Sequence, residues 1–248
     1  MSKTIITKIA EFTHDLQFKD LPDEVVHESK RVLLDSIGCT LGGATHDKGK
    51  IGLQFARRLG NCPEATVIGF GDRLSAMNAA FANGEMMNAL DFDPVLPPGH
   101  VAPYALPVAL ATGEVQGSPG KDLILATALS HELSYRICKA MDYIRDIKDG
   151  KVSTPEVVGY SSTIFGATAG IGKLMKYDPE VLSNALGIAG YMSPVNAQRA
   201  WMEHAPSTTI KYYLAGWANM AAMVSTDMAE LGHRGDNRIL EDDGFGWP

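Results

Sequence analysis

The chain has 248 residues, 45% hydrophobic and 21% charged, and its 29 acidic against 22 basic side chains leave a net charge of −7. That length buries a full core without staples, and the composition is that of a globular rather than a disordered chain. The acidic balance argues against a nucleic-acid partner, which needs clustered Lys and Arg, but leaves room for a small anion held by a few local cations.

Apolar residues recur at helical spacing along almost the whole sequence. Lys8, Glu11, His14 and Asp15 interrupt the first stretch, so it is read as a helix with Ile5, Ile9 and Phe12 on one face, not as a signal peptide. Leu21-Pro22-Asp23 has the Pro and acid of a helix start; Val25, Val26, Val32, Leu33, Ile37 and Leu41 follow, and Gly42-Gly43 stops the run. Lys50 to Leu59 predicts a short helix ending at Gly60. Ala65-Thr66-Val67-Ile68-Gly69 is strand-like, but one such piece makes no sheet. Ser75 can cap a helix running to about Leu90, whose Ala76, Ala79, Ala80, Ala82 and Gly84 suit a central, closely packed position. The Pro- and Gly-rich stretch from Asp91 opens as a loop, with a helix resuming near Tyr104 and ending near Gly113. Ser118-Pro119-Gly120 starts a helix through Asp142, and Asp146 to Pro155 reads as a polar loop. Further helices are predicted for Gly159 to Tyr177, Pro179 to Tyr191 and Ser207 to Leu231, before a Gly- and Asp-rich tail. The expectation is an all-α, bundle-like domain over residues 1–248.

Several motifs are missing. No GxGxxG follows a strand, and Gly117-Ser118-Pro119-Gly120-Lys121-Asp122 lacks the spacing of a phosphate loop. His131-Glu132 has no second His at metalloprotease spacing, and Arg234-Gly235-Asp236 is best read as a chance tripeptide. Cys39, Cys62 and Cys138 are far apart and form no CxxC, so they read as buried small hydrophobes in a reducing cytoplasm. No metal site and no membrane span are expected.

Three constellations could carry chemistry. Asp91, Asp93 and His100 lie where a helix gives way to a Pro-rich loop; a His moves protons near neutral pH and a carboxylate orients it. The plainer reading is a solvated helix end with a surface histidine. Lys211, preceded by Ser207, Thr208 and Thr209, is placed near a helix start, where a cation and helix dipole suit a carboxylate, with Arg199 and His204 as further contacts. The plainer reading there is a lysine snorkelling to solvent. Glu132 and Arg136 share a helix face and read as a structural ion pair.

Taken in order, these segments resemble the MmgE/PrpD family, whose members eliminate, decarboxylate or isomerise small polycarboxylic acids. The carrying residues are Ala79-Ala80-Phe81-Ala82-Asn83-Gly84 running into Leu90-Asp91-Phe92-Asp93, then Gly99-His100. Support comes from Leu33-Leu34-Asp35-Ser36-Ile37-Gly38, Ala65 to Gly69, Val157-Val158-Gly159, Ile210-Lys211 and Ile239-Leu240-Glu241. The resemblance implies a cofactor-independent, usually dimeric enzyme with a large helical domain and a smaller lid. It implies active-site roles for Asp91 and His100, and puts Lys211 near substrate carboxylates. Pro94 and Val95 stand where the family often has an acid and Thr, and Ser153 or Thr154 where some members have a His. Family chains are nearly twice as long, so the sequence corresponds to the helical N-terminal half.

Two functions follow as expectations. One is a lyase, a dehydratase or decarboxylase of the 2-methylcitrate dehydratase type, using His100, Asp91 and Lys211 for proton abstraction beside a carboxylate. Asp93, Arg199, Ser153, Thr154 and His204 would contact the substrate. An isomerase or epimerase would use the same abstraction. The other is a helical dimerisation module, inactive alone or completed by a separate lid chain.

Overall fold

The computed structural model describes residues 3–60, 62–96, 99–140, 146–153, 159–193, 209–210, 213–241 and 247. Helices dominate: α1 (Ile5–Asp15), α2 (Asp23–Gly43), α3 (Asp47–Arg58), α4 (Ala76–Met87), α5 (Ala102–Gln116), α6 (Gly120–Ala140), α7 (Thr163–Leu174), α8 (Pro179–Met192) and α9 (Ala215–Glu230). Three two-stranded antiparallel ladders join them: β1 (Ala65–Thr66) with β2 (Arg73–Leu74), β3 (Val95–Leu96) with β4 (Gly99–His100), and β5 (Asp146–Lys148) with β6 (Lys151–Ser153). The all-α expectation holds. No helix among the described residues is long and apolar enough to cross a membrane.

The interior is built from α4, α5, α7 and α9, with α4 packed against α2, α3, α5 and α9, and α7 against α5, α6, α8 and α9. Small residues permit this: α7 carries Gly166, Ala167, Ala169, Gly170 and Gly172, all buried. At Gly52 of α3 a Cβ would come within 2.6 Å of the Glu85 side chain on α4, so only Gly lets these helices approach so closely. Caps fix the ends. Ser75 accepts from Asn78 N–H at the start of α4, Asp178 accepts from the Glu180 and Val181 N–H groups at the start of α8, and Gly117 ends α5 in the left-handed region at φ 59°.

α5 starts at Ala102, two residues before the predicted start, and runs through Pro107 to Gln116, three residues past the predicted end. Proline has no N–H to give the carbonyl four residues back. Asn219 on α9 repairs the break: its Nδ2 donates to Pro103 O at 2.8 Å and its Oδ1 accepts from Val108 N–H at 2.9 Å.

Other differences have equally local causes. On α1 the buried face is Ile6, Ala10 and Thr13, while Ile5 and Phe12 are exposed, because α8 and α7 pack on the side with the smaller residues. α3 begins three residues before Lys50, at Asp47. The segment read as a polar loop contains β5 and β6, joined by Asp149 and Gly150 at φ 54° and 73°, the two positive values that a tight hairpin turn demands. Cys39 and Cys138 are buried free thiols as expected, but Cys62 is exposed, next to the Pro63 turn.

Candidate active site

The last turns of α4 dictate the site. Asn88 caps the helix, and the chain then turns through Asp91, which sits in the left-handed region at φ 55°. That conformation costs a non-glycine residue about 1 kcal/mol, least for Asp and Asn. The β3–β4 hairpin then folds back, with Val95 opposite His100 and Leu96 opposite Gly99. The result is an imidazole between two carboxylates. His100 Nδ1 is 2.7 Å from Asp93 Oδ2, and His100 Nε2 is 3.4 Å from Asp91 Oδ1. Burial separates the two acids: the Asp93 side chain is 0% exposed, that of Asp91 33% and that of His100 10%. Asp93 therefore grips the inner edge of the ring, while Asp91 meets the other edge at the mouth of the site. The second oxygen of Asp93, Oδ1, is buried and has no hydrogen-bond partner among the described residues.

Behind the histidine is a buried aromatic wall. The Tyr160 ring stacks near His100 with centroids 6.0 Å apart and planes 25° from parallel. Gly99 is required beside it, because a Cβ there would run into the Tyr160 ring. Tyr104 and Tyr213 stack at 4.6 Å, and the Tyr213 hydroxyl donates to the Tyr160 carbonyl at 3.0 Å. Burial pushes the Tyr104 and Tyr213 phenols far above the ordinary tyrosine value, so they remain neutral and serve as walls and donors.

A buried polar network supports this loop. Lys48 of α3 donates to Asn88 Oδ1 at 2.5 Å and stands 3.8 Å from Glu85 Oε2. Glu85 also accepts from the Gly216 backbone N–H at 2.8 Å, in the first turn of α9. Burial drives the Glu85 carboxyl above its ordinary range; Lys48 and the Gly216 and Ala215 N–H groups offset only part of that. The network thus ties α3, the end of α4 and the start of α9 together beneath Asp91. The sequence reading missed Lys48, Glu85 and Tyr160. The available signal was Glu85 itself, a charged residue at a fully buried position of a helix rich in Ala, Gly and Met.

Of the predicted site residues, Asp91, Asp93 and His100 come together. Ser153 ends β6, paired with Asp146. Lys211, Arg199, Thr154 and His204 lie outside the described residues. The predicted helix start at Ser207 is corrected: Thr209 and Ile210 are not helical, and α9 begins at Ala215. The β-branched run Thr208-Thr209-Ile210 is a poor helix former, and Tyr213 is drawn into the tyrosine cluster instead. Glu132 and Arg136 form the expected ion pair at 2.5 Å.

Chemically, the trio can orient an imidazole and accept its N–H on either side, which suits proton transfer. Among the described residues, Asp91, Asp93 and His100 are also the group of His and acids close enough to hold a cation, with ligand atoms within 4.8 Å of one another. Both ring nitrogens already face carboxylates, the arrangement of a proton-carrying ring more than of a ligand offering its lone pair outward.

Comparison with known proteins bears on which chemistry this is. Residues 7–247 match the family model of the MmgE/PrpD N-terminal domain. Similar curated proteins include cis-aconitate decarboxylases from Mus musculus, 31% identical over 99% of this chain and 50% of the relative, and from Homo sapiens, 30% identical over the same shares. A cis-aconitate decarboxylase from Aspergillus terreus is 29% identical over 75% of this chain and 38% of its own length. The chain spans about half the length of the curated relatives it matches in mouse and human.

Proposed function

The chain belongs to the MmgE/PrpD family, and we propose that it forms the helical N-terminal half, residues 1–248, of a lyase that acts on a small di- or tricarboxylic acid. Decarboxylation is favoured over dehydration by the names of the similar proteins. The observation that carries the reading is His100 held between buried Asp93 and more exposed Asp91.

In this scheme His100 transfers a proton at the carbon beside a substrate carboxylate. Loss of CO2 leaves an electron pair on carbon that must take up a proton, and dehydration requires the reverse transfer; one positioned imidazole serves either step. Asp93 holds the ring in one orientation from the inside. Asp91, at the mouth, stabilises the charge the ring gains when it holds the proton. Substrate carboxylates need cations. Lys211, aided by Arg199, supplies them, with His204, Ser153 and Thr154 completing the contacts. Tyr213, two residues beyond Lys211, is packed on Tyr104 in the same aromatic cluster as Tyr160, which supports bringing that segment to His100. The scheme needs no cofactor. An epimerase would return the proton to the other face of the same carbon.

The test is to incubate the chain, alone and together with a separate family lid chain, with cis-aconitate, citrate or 2-methylcitrate in D2O and follow products by NMR. We expect CO2 release or alkene formation, with deuterium entering at one carbon, and His100→Ala slowing turnover about a hundredfold with an unchanged circular dichroism spectrum. Full activity in the folded His100→Ala variant defeats the assignment, and exchange without net loss of CO2 or water favours the epimerase.

A further inference from the structure

A second cavity, of about 740 Å³, shares no lining residue with the site around His100. It lies between the end of α1, the short 3-10 turn at Phe18–Asp20, the first turn of α6 and the last turn of α7. Lys19, Lys121, Lys173 and Lys176 line it against a single carboxylate, Asp122, in a protein whose net charge is −7. None of the four forms an ion pair among the described residues, a property they share with Lys8, Lys30, Arg58 and Lys139; what sets them apart is that they converge on one cavity.

We propose that this cavity binds a small molecule through an oligophosphate group. Three features beyond the charge count support it. Lys173 is half-buried, and among the described residues its ammonium donates to the His14 carbonyl alone, at 2.7 Å. Burial pulls it below its ordinary value, with Asp15, Asp122 and Asp20 acting in the opposite sense from farther away, so a bound anion would relieve a desolvated cation. Lys121 is in the first turn of the 21-residue α6, where the helix dipole disfavours a cation; the adjacent Asp122 in the same turn offsets part of that. Lys176 ends α7 in the left-handed region at φ 58°, a place where Gly or Asn is the ordinary choice. Helix-dipole complementarity explains a cation at the end of α7, but not one at the start of α6 as well. Four flexible point charges suit phosphates, which tolerate varied geometry, better than the planar bidentate pairing that Arg gives a carboxylate. The volume is that of a nucleotide-sized ligand, and Phe18 offers an apolar wall on which a base can rest.

Titration calorimetry of the whole chain with sodium triphosphate and with metal-free ATP, at low ionic strength, tests this. The expected result is saturable one-to-one binding of both that weakens steeply with salt. Tighter ATP binding identifies a nucleotide, and equal binding identifies the phosphate chain as the whole of what is recognised. Lys121→Gln with Lys173→Gln should weaken binding at least about tenfold. Lys19→Gln with Lys121→Gln, two exposed side chains whose loss leaves the fold intact, should do so as well. Absence of saturable binding at millimolar probe, unchanged affinity in the folded variants, or citrate binding as tightly as triphosphate would each overturn the proposal.

Discussion

At the scale of single residues, the two aspartates around His100 are distinguished by distance and burial. Asp93 is the closer and has no solvent to replace it; Asp91 is farther from the ring and a third exposed. Asp93→Asn keeps the shape but removes the charge, and turnover should fall about ten- to a hundredfold, the usual cost of losing an orienting partner. Asp91→Asn should cost clearly less, since water can reach that edge of the ring. Steady-state kinetics of the two variants decide it; a larger loss in Asp91→Asn would reverse the assigned roles. Asp91, Asp93 and His100 were legible in the sequence because a carboxylate pair and a histidine followed a helix into a Pro-rich loop. That Asp93, rather than Asp91, holds the ring was not legible, because it depends on the register of β3 against β4.

At the scale of elements, α5 and the β1–β2 hairpin depend on side chains from elsewhere. Asn219→Leu would leave the Val108 N–H and the Pro103 carbonyl buried and unpaired. A loss of about 2–5 kcal/mol in urea unfolding is expected, and a loss below about 1 kcal/mol would show that α5 does not need the repair. Glu114, at the end of α5, accepts from the Thr66 N–H and hydroxyl and pairs with Arg73 at 2.8 Å, fastening the hairpin. Burial pushes its carboxyl up, but the bonds from Thr66 and Arg73 outweigh that and hold it below its ordinary value of 4.5. A carboxyl lowered on folding stabilises above its unfolded value and loses that contribution as pH falls through the folded one. The melting-temperature advantage of the native chain over Glu114→Gln should therefore be present above the ordinary carboxyl value of 4.5 and decline as pH falls below it. An advantage independent of pH would assign the effect to packing. The β5–β6 hairpin was readable in principle, since Asp149-Gly150 is a strong turn signal, but the polar residues around it hid the strands.

At the scale of the whole molecule, the Lys48–Glu85 pair is where three helices meet under the site. Lys48→Met removes the cation and leaves Glu85 buried beside an apolar chain, a change that commonly costs about 3–5 kcal/mol at neutral pH. The Glu85 carboxyl is already raised by burial, and without Lys48 it rises further. A raised acid favours the folded state below its unfolded value and loses that advantage as pH rises, so the deficit of Lys48→Met should shrink on acidification. Chemical denaturation at several pH values checks this; a constant deficit would mean that lost packing, not the stranded charge, is responsible.

The sequence by itself determined the helical class, most helix ends and the segment that carries Asp91, Asp93 and His100. These follow from local periodicity, caps and Pro or Gly positions, which act over a turn or two of chain. It also carried the resemblance that the family match confirms. Only the tertiary structure decided what surrounds that group: Tyr160 beside His100, Asn219 across from Pro103, and Lys48 against Asn88 and Glu85. Those partners are brought together by the close crossing of glycine- and alanine-rich helices. Their choice depends on distances across the core, which no local pattern encodes.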